Sequence, residues 1–320
     1  MIGGLVFGYV MRRILGAFLT VFVVATLAFT LMSIIPGDAA FYVLGEEATG
    51  GDIARFRERH GLDRPAIVRL VHWYGSLLRG DLGESITQTG EPVASLIVGR
   101  LEPTFLLAAM ASTIGIVFGL TLGVVAALQR GKPLDFLSMV FALLGVSIPG
   151  FWLGLNLILV FSLHLQWLPT AGYVPLQEDV VQSLRHLLLP AVALGLSQVG
   201  VIARMTRANM LQVLAEDYMV TARSKGLREF RVIAVHGFRN ALVPTLGVIG
   251  VSVVLVLGGA IITEVVFVLP GLGTLTVNAI MRRDFTLMQG ILMFVALMTT
   301  VVNLAVDLLY GVVDPRIRYS

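Results

Sequence analysis

The sequence predicts an all-α, polytopic membrane protein with six transmembrane helices. Hydrophobic residues make up 57% of the 320 residues and charged residues 13%, about half of the roughly 25% charged share of soluble domains. The mean hydropathy of the chain is +0.88. A helix needs about 20 apolar residues to span a bilayer, and six charge-free runs approach or exceed that length. They are residues 14–35, 103–129, 136–163, 187–203, 241–263 and 285–306.

The first run is predicted to be a retained membrane helix rather than a cleaved signal peptide. Arg12 and Arg13 precede it, as basic residues do in a signal peptide. Its 22 residues, however, exceed the usual apolar region of about 7–15 residues, and no A-x-A-like cleavage site follows. Residues 1–35 therefore form a short tail and the first span.

Residues 36–102 are predicted to form a small extracytoplasmic domain between the first two spans. The segment opens with PGD at 36–38 and contains a charged stretch with helical character at 52–60. The adjacent aromatic residues Trp73 and Tyr74 and a GDLG turn are typical of a packed unit rather than a disordered linker.

Residues 103–320 hold the other five spans, and two of these spans contain helix-disrupting residues. Pro149 removes a backbone donor and Gly150 permits a bend in the third span, and Pro190 acts similarly near the start of the fourth. One interpretation is a packing kink. The other is a helix deformed around a solute pathway.

Four residues are our candidates for lining such a pathway: Ser147, Trp152, Asn156 and Glu264. Asn156 is polar within an apolar span and is able to bond to a neighbouring helix. Glu264 is placed just past the outer end of the fifth span, where it either caps local backbone or lines a vestibule.

Ionisable residues are nearly absent from the predicted spans, which disfavours coupling to an ion gradient. Charges inside the membrane mark proton and ion pathways, yet only Glu264 and Asp307 lie at span margins. Asp307 is either an acid at a helix end near Arg316 or Arg318, or a proton site.

Catalytic and metal-binding patterns are also missing from the sequence. The chain has no cysteine, and its five histidines are scattered without metal-ligand spacing. The nucleophile-elbow, zinc-protease and phosphate-loop motifs do not occur. We therefore expect neither an enzyme nor a metal site, and any ATP that powers the protein binds another chain.

The distribution of basic residues predicts that both termini are cytoplasmic. With that orientation, the cytoplasmic segments carry 13 Lys and Arg residues and the two short outer segments carry 3, as the positive-inside rule requires. The net charge of +3 thus reflects the membrane topology and does not indicate binding to nucleic acid.

The cytoplasmic segment 204–240 is too long for a simple connection. Residues 215–225 have helical character, Gly226 ends that helix, and a second short helix at 229–237 leads into the fifth span. This helix–glycine–helix elbow either offers a firm protrusion to a partner protein or lies on anionic lipid. The cations for the lipid alternative are Arg223, Lys225 and Arg228.

A second irregular segment follows the fifth span. Residues 270–273 (PGLG) lie in a hydrophobic stretch and predict a re-entrant or mouth-lining loop, because irregular backbone at membrane depth must face protein or water.

Residues 217–227 (DYMVTARSKGL) strongly resemble the ATPase-coupling motif of dipeptide/oligopeptide-type permease subunits of ATP-binding-cassette (ABC) importers. The general importer pattern is Glu-Ala-Ala-three-Gly, whereas this chain has Val220-Thr221-Ala222 before Gly226, and the peptide-type branch commonly lacks the glutamate. The likeness runs nearly end to end, and the C-terminal sequence favours the first of the two permease types. Further matching motifs lie at 12–13, 35–38, 61–65, 80–85, 147–152, 239–244, 270–273, 307–310 and 314–318.

The resemblance implies a type I ABC importer permease fold, a location in the bacterial cytoplasmic, or inner, membrane, and alternating-access import of peptides or similar solutes. It also implies a homologous second permease, two ATPase subunits that bind ATP and Mg²⁺, and an extracytoplasmic solute-binding protein. Coupling to the ATPases would fall on Asp217, Tyr218, Thr221, Ala222, Arg223, Lys225, Gly226 and Leu227. Docking of the binding protein would fall on Trp73, Pro270, Gly271 and Gly273. The alternatives are a stand-alone secondary carrier, a membrane scaffold and, least of all, a membrane enzyme.

Overall fold

The structure, a computed structural model, describes residues 2–34, 40, 44–45, 48–59, 61–88 and 90–313, with side chains from residue 11 to 306 except residue 59. Three features singled out in the sequence lie outside the described residues. They are the PGD opening at 36–38, the side chain of Asp307 and the C-terminal motif at 314–318.

Helices account for most of the described chain. In chain order they are α1 (Ile2–Ile34), α2 (Gly50–Arg59), α3 (Ala66–Leu77), α4 (Val93–Val98), α5 (Leu101–Leu128), α6 (Pro133–Ser147), α7 (Gly150–Leu157), α8 (Val180–Leu214), α9 (Asp217–Ser224), α10 (Glu229–Arg231), α11 (Arg239–Val266), α12 (Leu272–Met281) and α13 (Phe285–Val313). Two π-helical stretches, Ile158–His164 and Val232–Phe238, extend α7 and join α10 to α11.

The six predicted spans are confirmed, with a correction to the third. Within the described residues, five helical runs are long and apolar enough to cross a membrane, and a pair of helices bent by 101° makes a sixth if it is counted as one span. The pair is α6 and α7, which Ile148 and Pro149 separate with extended backbone. The Pro149 site is therefore a full break in the span rather than a kink within one helix.

The fourth span is much longer than its apolar run. α8 begins at Val180, where Asp179 accepts hydrogen bonds from the backbone N–H groups of Val181 (2.9 Å) and Gln182 (3.0 Å), as an N-cap does. It continues to Leu214. Residues 204–214, which we assigned to the segment after the span, thus belong to the helix, because charged residues end a hydropathy run without ending a helix.

α8 is the central helix of the compact unit formed by residues 102–270 and 305–318. It is 61% buried over its apolar window, against 17–33% for the other long spans. α5 meets α8 through Gly115, Gly119 and Gly123, which recur every four residues. A Cβ on Gly119 would lie 2.7 Å from the Cβ of Ile202. Such close approach of small residues drives helix association in a membrane, where burial of apolar surface contributes little.

The other compact unit comprises residues 1–101 and 271–304. Its core combines residues of α4, α12 and α13, among them Val93, Leu275 and Leu287. Asp284 is fully buried and accepts hydrogen bonds from the Oγ of Ser85 (2.5 Å) and from the N–H and Oγ1 of Thr87 (3.1 and 2.8 Å). This carboxylate also accepts from Leu287 N–H and so holds the 85–87 loop against the start of α13.

In the described part of the predicted outer domain, α4 packs on α12 and α13, and α3 packs on α1. α2 confirms the helix expected at 52–60, and no residue of α3 is fully buried. The ring of Trp73 lies 5.8 Å from that of Phe29 of α1, and Tyr74 stacks on Phe22 at 5.2 Å. The aromatic pair therefore fixes α3 along the first membrane helix.

Candidate functional site

The elbow is defined here as residues 217–231, and its turn has the predicted glycine geometry. α9 ends at Ser224, and Gly226 has φ +76°, a left-handed conformation that disfavours side chains. The expected second short helix is wrong as a separate element. From Glu229 the chain is helical without a break to Val266, so the elbow leads directly into a membrane span.

Buried apolar contacts fix the inner face of the elbow to two membrane helices. Met219 and Val232 are fully buried, and Ala222 is 7% exposed. The half-buried side chains that pack against these three residues are Val213, Leu214 and Leu227. The cluster therefore joins the end of α8, the elbow helix α9 and the helical run that becomes α11.

Polar contacts reinforce the same joint. The Nδ2 of Asn240 donates to the hydroxyl oxygen of Tyr218 (3.2 Å) and to the carbonyl of His236 (2.7 Å). Arg223 forms an ion pair with Glu229 at 3.0 Å across the turn, and this hydrogen bond raises the pKa of the Arg223 guanidinium. Both partners are exposed, so the pair contributes at most about 1 kcal/mol.

The outer face of the elbow is exposed and mixed in character. Val220 is 59% exposed and Phe230 is 83% exposed. The predicted coupling residues divide between the faces: Ala222 and Leu227 lie on the inner face, whereas Asp217, Tyr218, Thr221, Arg223, Lys225 and Gly226 are exposed. Sequence reasoning missed Phe230, although an aromatic residue among charged neighbours was a usable signal.

A cavity of about 480 Å³ lies among α6, α8 and α11. Its wall is mostly apolar, with Ser197, Gln198 and Ser252 as the polar side chains. Gln198 is 7% exposed and its Oε1 has no hydrogen-bond partner among the described residues. The remaining lining residues are Val146, Leu194, Val201, Gly247, Val248, Val251, Leu255, Val256 and Gly259.

Two family descriptions match nearly the whole chain. The binding-protein-dependent transport system inner membrane component matches residues 119–319, and the N-terminal part of the membrane component of such systems matches residues 6–108. The chain belongs to this family. A putative peptide transport system permease protein of Brucella abortus (strain 2308) is 44% identical over 311 residues, which cover 97% of this chain and 99% of the relative. The glutathione transport system permease protein of Escherichia coli (strain K12) is 39% identical over 312 residues, with 98% and 99% covered.

The fold agrees with that membership. The inward-facing MetNI methionine ABC transporter has a chain that superposes with a TM-score of 0.59 at 18% identity, covering 71% of this chain and 100% of that one. The family membership and the relatives make the protein a permease subunit of an ABC importer rather than a secondary carrier, and the superposition gives it the type I permease fold. Its apolar helices make it a multi-pass component of the inner membrane.

None of the predicted pathway residues of the permease lines the 480 Å³ cavity. Ser147 and Trp152 are exposed. The Nδ2 of Asn156 donates to the carbonyl of Trp152 (2.7 Å) within its own helix rather than across helices. Glu264 lies inside α11, not beyond the end of the span, and it is fully buried with a hydrogen bond from the Oγ1 of Thr104 (2.6 Å).

The segment at 270–273 is irregular in its first half and helical in its second half. Pro270 and Gly271 form the entry to α12, and Gly273 lies inside that helix. Gly271 and Gly273 are buried, and Pro270 and Trp73 are half-buried. A docking role for these four residues stays a prediction.

Glu102 has a structural role. Its Oε1 accepts from the hydroxyl of Tyr173 (2.6 Å) and the N–H of Leu176 (2.8 Å), so the loop before α8 is tied to the start of α5. Burial, together with the hydrogen bond to Glu102, raises the pKa of Tyr173 to about 12.

Sequence reasoning also missed an ion pair that joins α6 to α8. Asp135 accepts from the Nε and Nη2 of Arg207 at 2.6 and 2.7 Å, and from the N–H of Gly131 at 3.0 Å. The Asp135 side chain is 9% exposed and the Arg207 side chain 28%. The paired, nearly parallel bonds give this contact more strength and orientation than a surface ion pair.

Asp135→Asn is expected to destabilise the permease by about 1–3 kcal/mol, because the amide keeps the shape of the carboxylate but leaves the Arg207 guanidinium without its counter-charge. The measurement is the melting temperature of the complex in mild detergent. Asp52→Asn is the control, since it removes the exposed partner of Arg55 (2.7 Å). Equal decreases in melting temperature for the two variants would contradict the assigned strength of the buried pair.

Proposed function

We propose that this permease subunit imports peptides or closely similar solutes by alternating access. A homologous second permease completes the pathway, two ATPase subunits bind and hydrolyse ATP with Mg²⁺, and an extracytoplasmic binding protein delivers the solute. No cofactor binds to this chain. The names of the peptide and glutathione relatives support the substrate class.

The contact between the elbow and the membrane helices carries this proposal. A partner that pushes on α9 moves Met219 and Val232, which are fully buried against the ends of α8 and α11. Because packed interiors deform little, the displacement passes to both helices instead of being absorbed in the turn. Those two helices also form most of the wall of the 480 Å³ cavity, so ATPase closure reshapes the solute pathway.

The cavity is suited to peptide passage. Its volume lies within the range of about 300–1,000 Å³ that is usual for small-molecule sites. Its apolar wall accommodates peptide side chains, and Ser197, Gln198 and Ser252 offer hydrogen bonds to backbone amides. Few polar groups and no charge in this wall favour release after passage, as a transporter requires.

We further propose that both termini and the elbow are cytoplasmic. The 13 to 3 asymmetry of basic residues supports this orientation. The chain has no cysteine, so single-cysteine variants give a clean test. A membrane-impermeant maleimide should label Arg282→Cys in intact cells and Lys225→Cys only in inside-out vesicles. The reverse pattern would overturn the orientation.

The proposed function is tested by purifying the tagged permease with its co-expressed partner chains and reconstituting them in vesicles. Uptake from a mixture of dipeptides, tripeptides and glutathione, read by mass spectrometry, should require ATP, Mg²⁺ and the binding protein. Uptake by the isolated chain along an ion gradient would favour a secondary carrier. Unchanged cellular uptake after deletion of the chain would favour a scaffold.

A further inference from the structure

A second cleft, of about 740 Å³, lies at the opposite end of α6 from the Pro149 break. Its lining is charged on one side and apolar on the other. The residues are Gly131, Lys132, Pro133, Asp135, Phe136, Met139 and Arg207. Nothing in the proposed transport mechanism uses this cleft.

The charged side of the cleft attracts anions. Asp135 and Arg207 neutralise each other, and their contact uses two of the five N–H donors of the guanidinium. Lys132 is exposed, and the described residues provide no ion pair for it. The cleft therefore carries a net positive charge next to guanidinium donors that remain available.

The apolar side continues onto the surface of a membrane span. Phe136 is 70% exposed, and Leu143, which lies two turns further along the same face of α6, is 53% exposed. These side chains extend from the first turn of α6 along the helix, so the cations sit at the end of an apolar stripe. This is the arrangement that recognises an amphiphile, with its charge at the membrane boundary and its chain beside the helix.

We propose that the cleft binds the phosphate headgroup of an anionic phospholipid. Lys132 and Arg207 bind the phosphate oxygens, and Phe136 and Met139 contact the part of an acyl chain nearest the headgroup. A free phosphate ion would leave the apolar side uncovered. Bound lipid would also stabilise the ion pair that joins α6 to α8.

The test uses the whole complex, reconstituted in phosphatidylcholine vesicles containing phosphatidylglycerol and then examined by native mass spectrometry. Lys132→Gln should weaken phosphatidylglycerol retention about fivefold, the effect of roughly one interfacial lysine, and Lys132→Glu should weaken it further. Arg79→Gln is the matched control, because it removes an exposed positive charge from the other compact unit. Retention of phosphatidylcholine should be the same in all variants.

Several results would overturn the proposal. One is equal phosphatidylglycerol retention by wild type and Lys132→Glu, and another is equal loss in Lys132→Gln and Arg79→Gln. Loss on Lys225→Gln instead would place the lipid at the elbow. Stabilisation of delipidated complex by inorganic phosphate as great as that by phosphatidylglycerol would make the cleft an anion site without lipid specificity. The readout does not depend on transport, so it stands apart from the proposed function.

Discussion

Replacing Gly226 with proline is expected to abolish ATP-driven uptake while the permease still inserts and assembles. Gly226 has φ +76° and donates its N–H to the carbonyl of Arg223 at 2.9 Å. Proline fixes φ near −65° and has no N–H, so it can reproduce neither feature. The direction of α9 relative to α11 must then change, and ATP hydrolysis continues without moving the membrane helices.

Two comparisons separate this coupling effect from general damage. Gly80 has φ +77°, donates to Leu77 at 3.0 Å, and has open space around its Cα. Gly80→Pro therefore imposes the same local change far from the elbow along the chain and should retain uptake. Gly226→Ala, which meets no neighbour but carries backbone strain of about 1–2 kcal/mol, should be intermediate. ATPase activity and uptake are measured together, and normal uptake by Gly226→Pro would contradict the role of the turn.

The membrane helices and the elbow turn were predictable because each depends on local sequence. Apolar runs fix the spans through the cost of exposing backbone polar groups to lipid, and Gly226 fixes the turn through its own φ. The limits of α8 were not predictable in this way. Arg204 ends the apolar run, but the helix continues for ten more residues to Leu214, since helical hydrogen bonds do not require apolar side chains.

The missed residues form their contacts across long stretches of chain. Asp135 and Arg207 are 72 residues apart, and Ser85 and Asp284 are 199 apart. No local pattern distinguishes such polar groups from ordinary charges at a helix end. The pathway candidates lie outside the cavity wall for a related reason, because polarity in a span shows that a residue is unusual without showing which face it occupies. The Asn156 side chain forms a hydrogen bond within its own helix, whereas Gln198, which we did not select, lies in the cavity wall.

The glycine seam between α5 and α8 gives the second large expected effect. A Cβ on Gly123 would lie 2.5 Å from the Cβ of Thr206 and 2.6 Å from the carbonyl oxygen of Ala203. Neither atom belongs to a flexible side-chain end, so the helices must move apart to admit even one methyl group. Gly123→Ala is therefore expected to destabilise the permease by about 1–3 kcal/mol, and Gly123→Leu by more, seen as a lower melting temperature and lower yield of assembled complex.

Gly258→Ala is the control that separates the packing effect from the general effect of replacing a helical glycine with alanine. Gly258 is an exposed glycine in a membrane helix, and an added Cβ meets no atom within 4 Å. Alanine favours helix over glycine by about 1 kcal/mol, so this variant should be neutral or stabilising. The change in stability caused by Gly→Ala is then expected to have opposite signs at the two helical glycines. The presence or absence of a neighbouring helix against the added methyl group determines that sign. A neutral Gly123→Ala variant would show that α5 and α8 can separate at Gly123 without loss of stability. In that case α8 would not be packed firmly enough to carry movement of the elbow to the cavity.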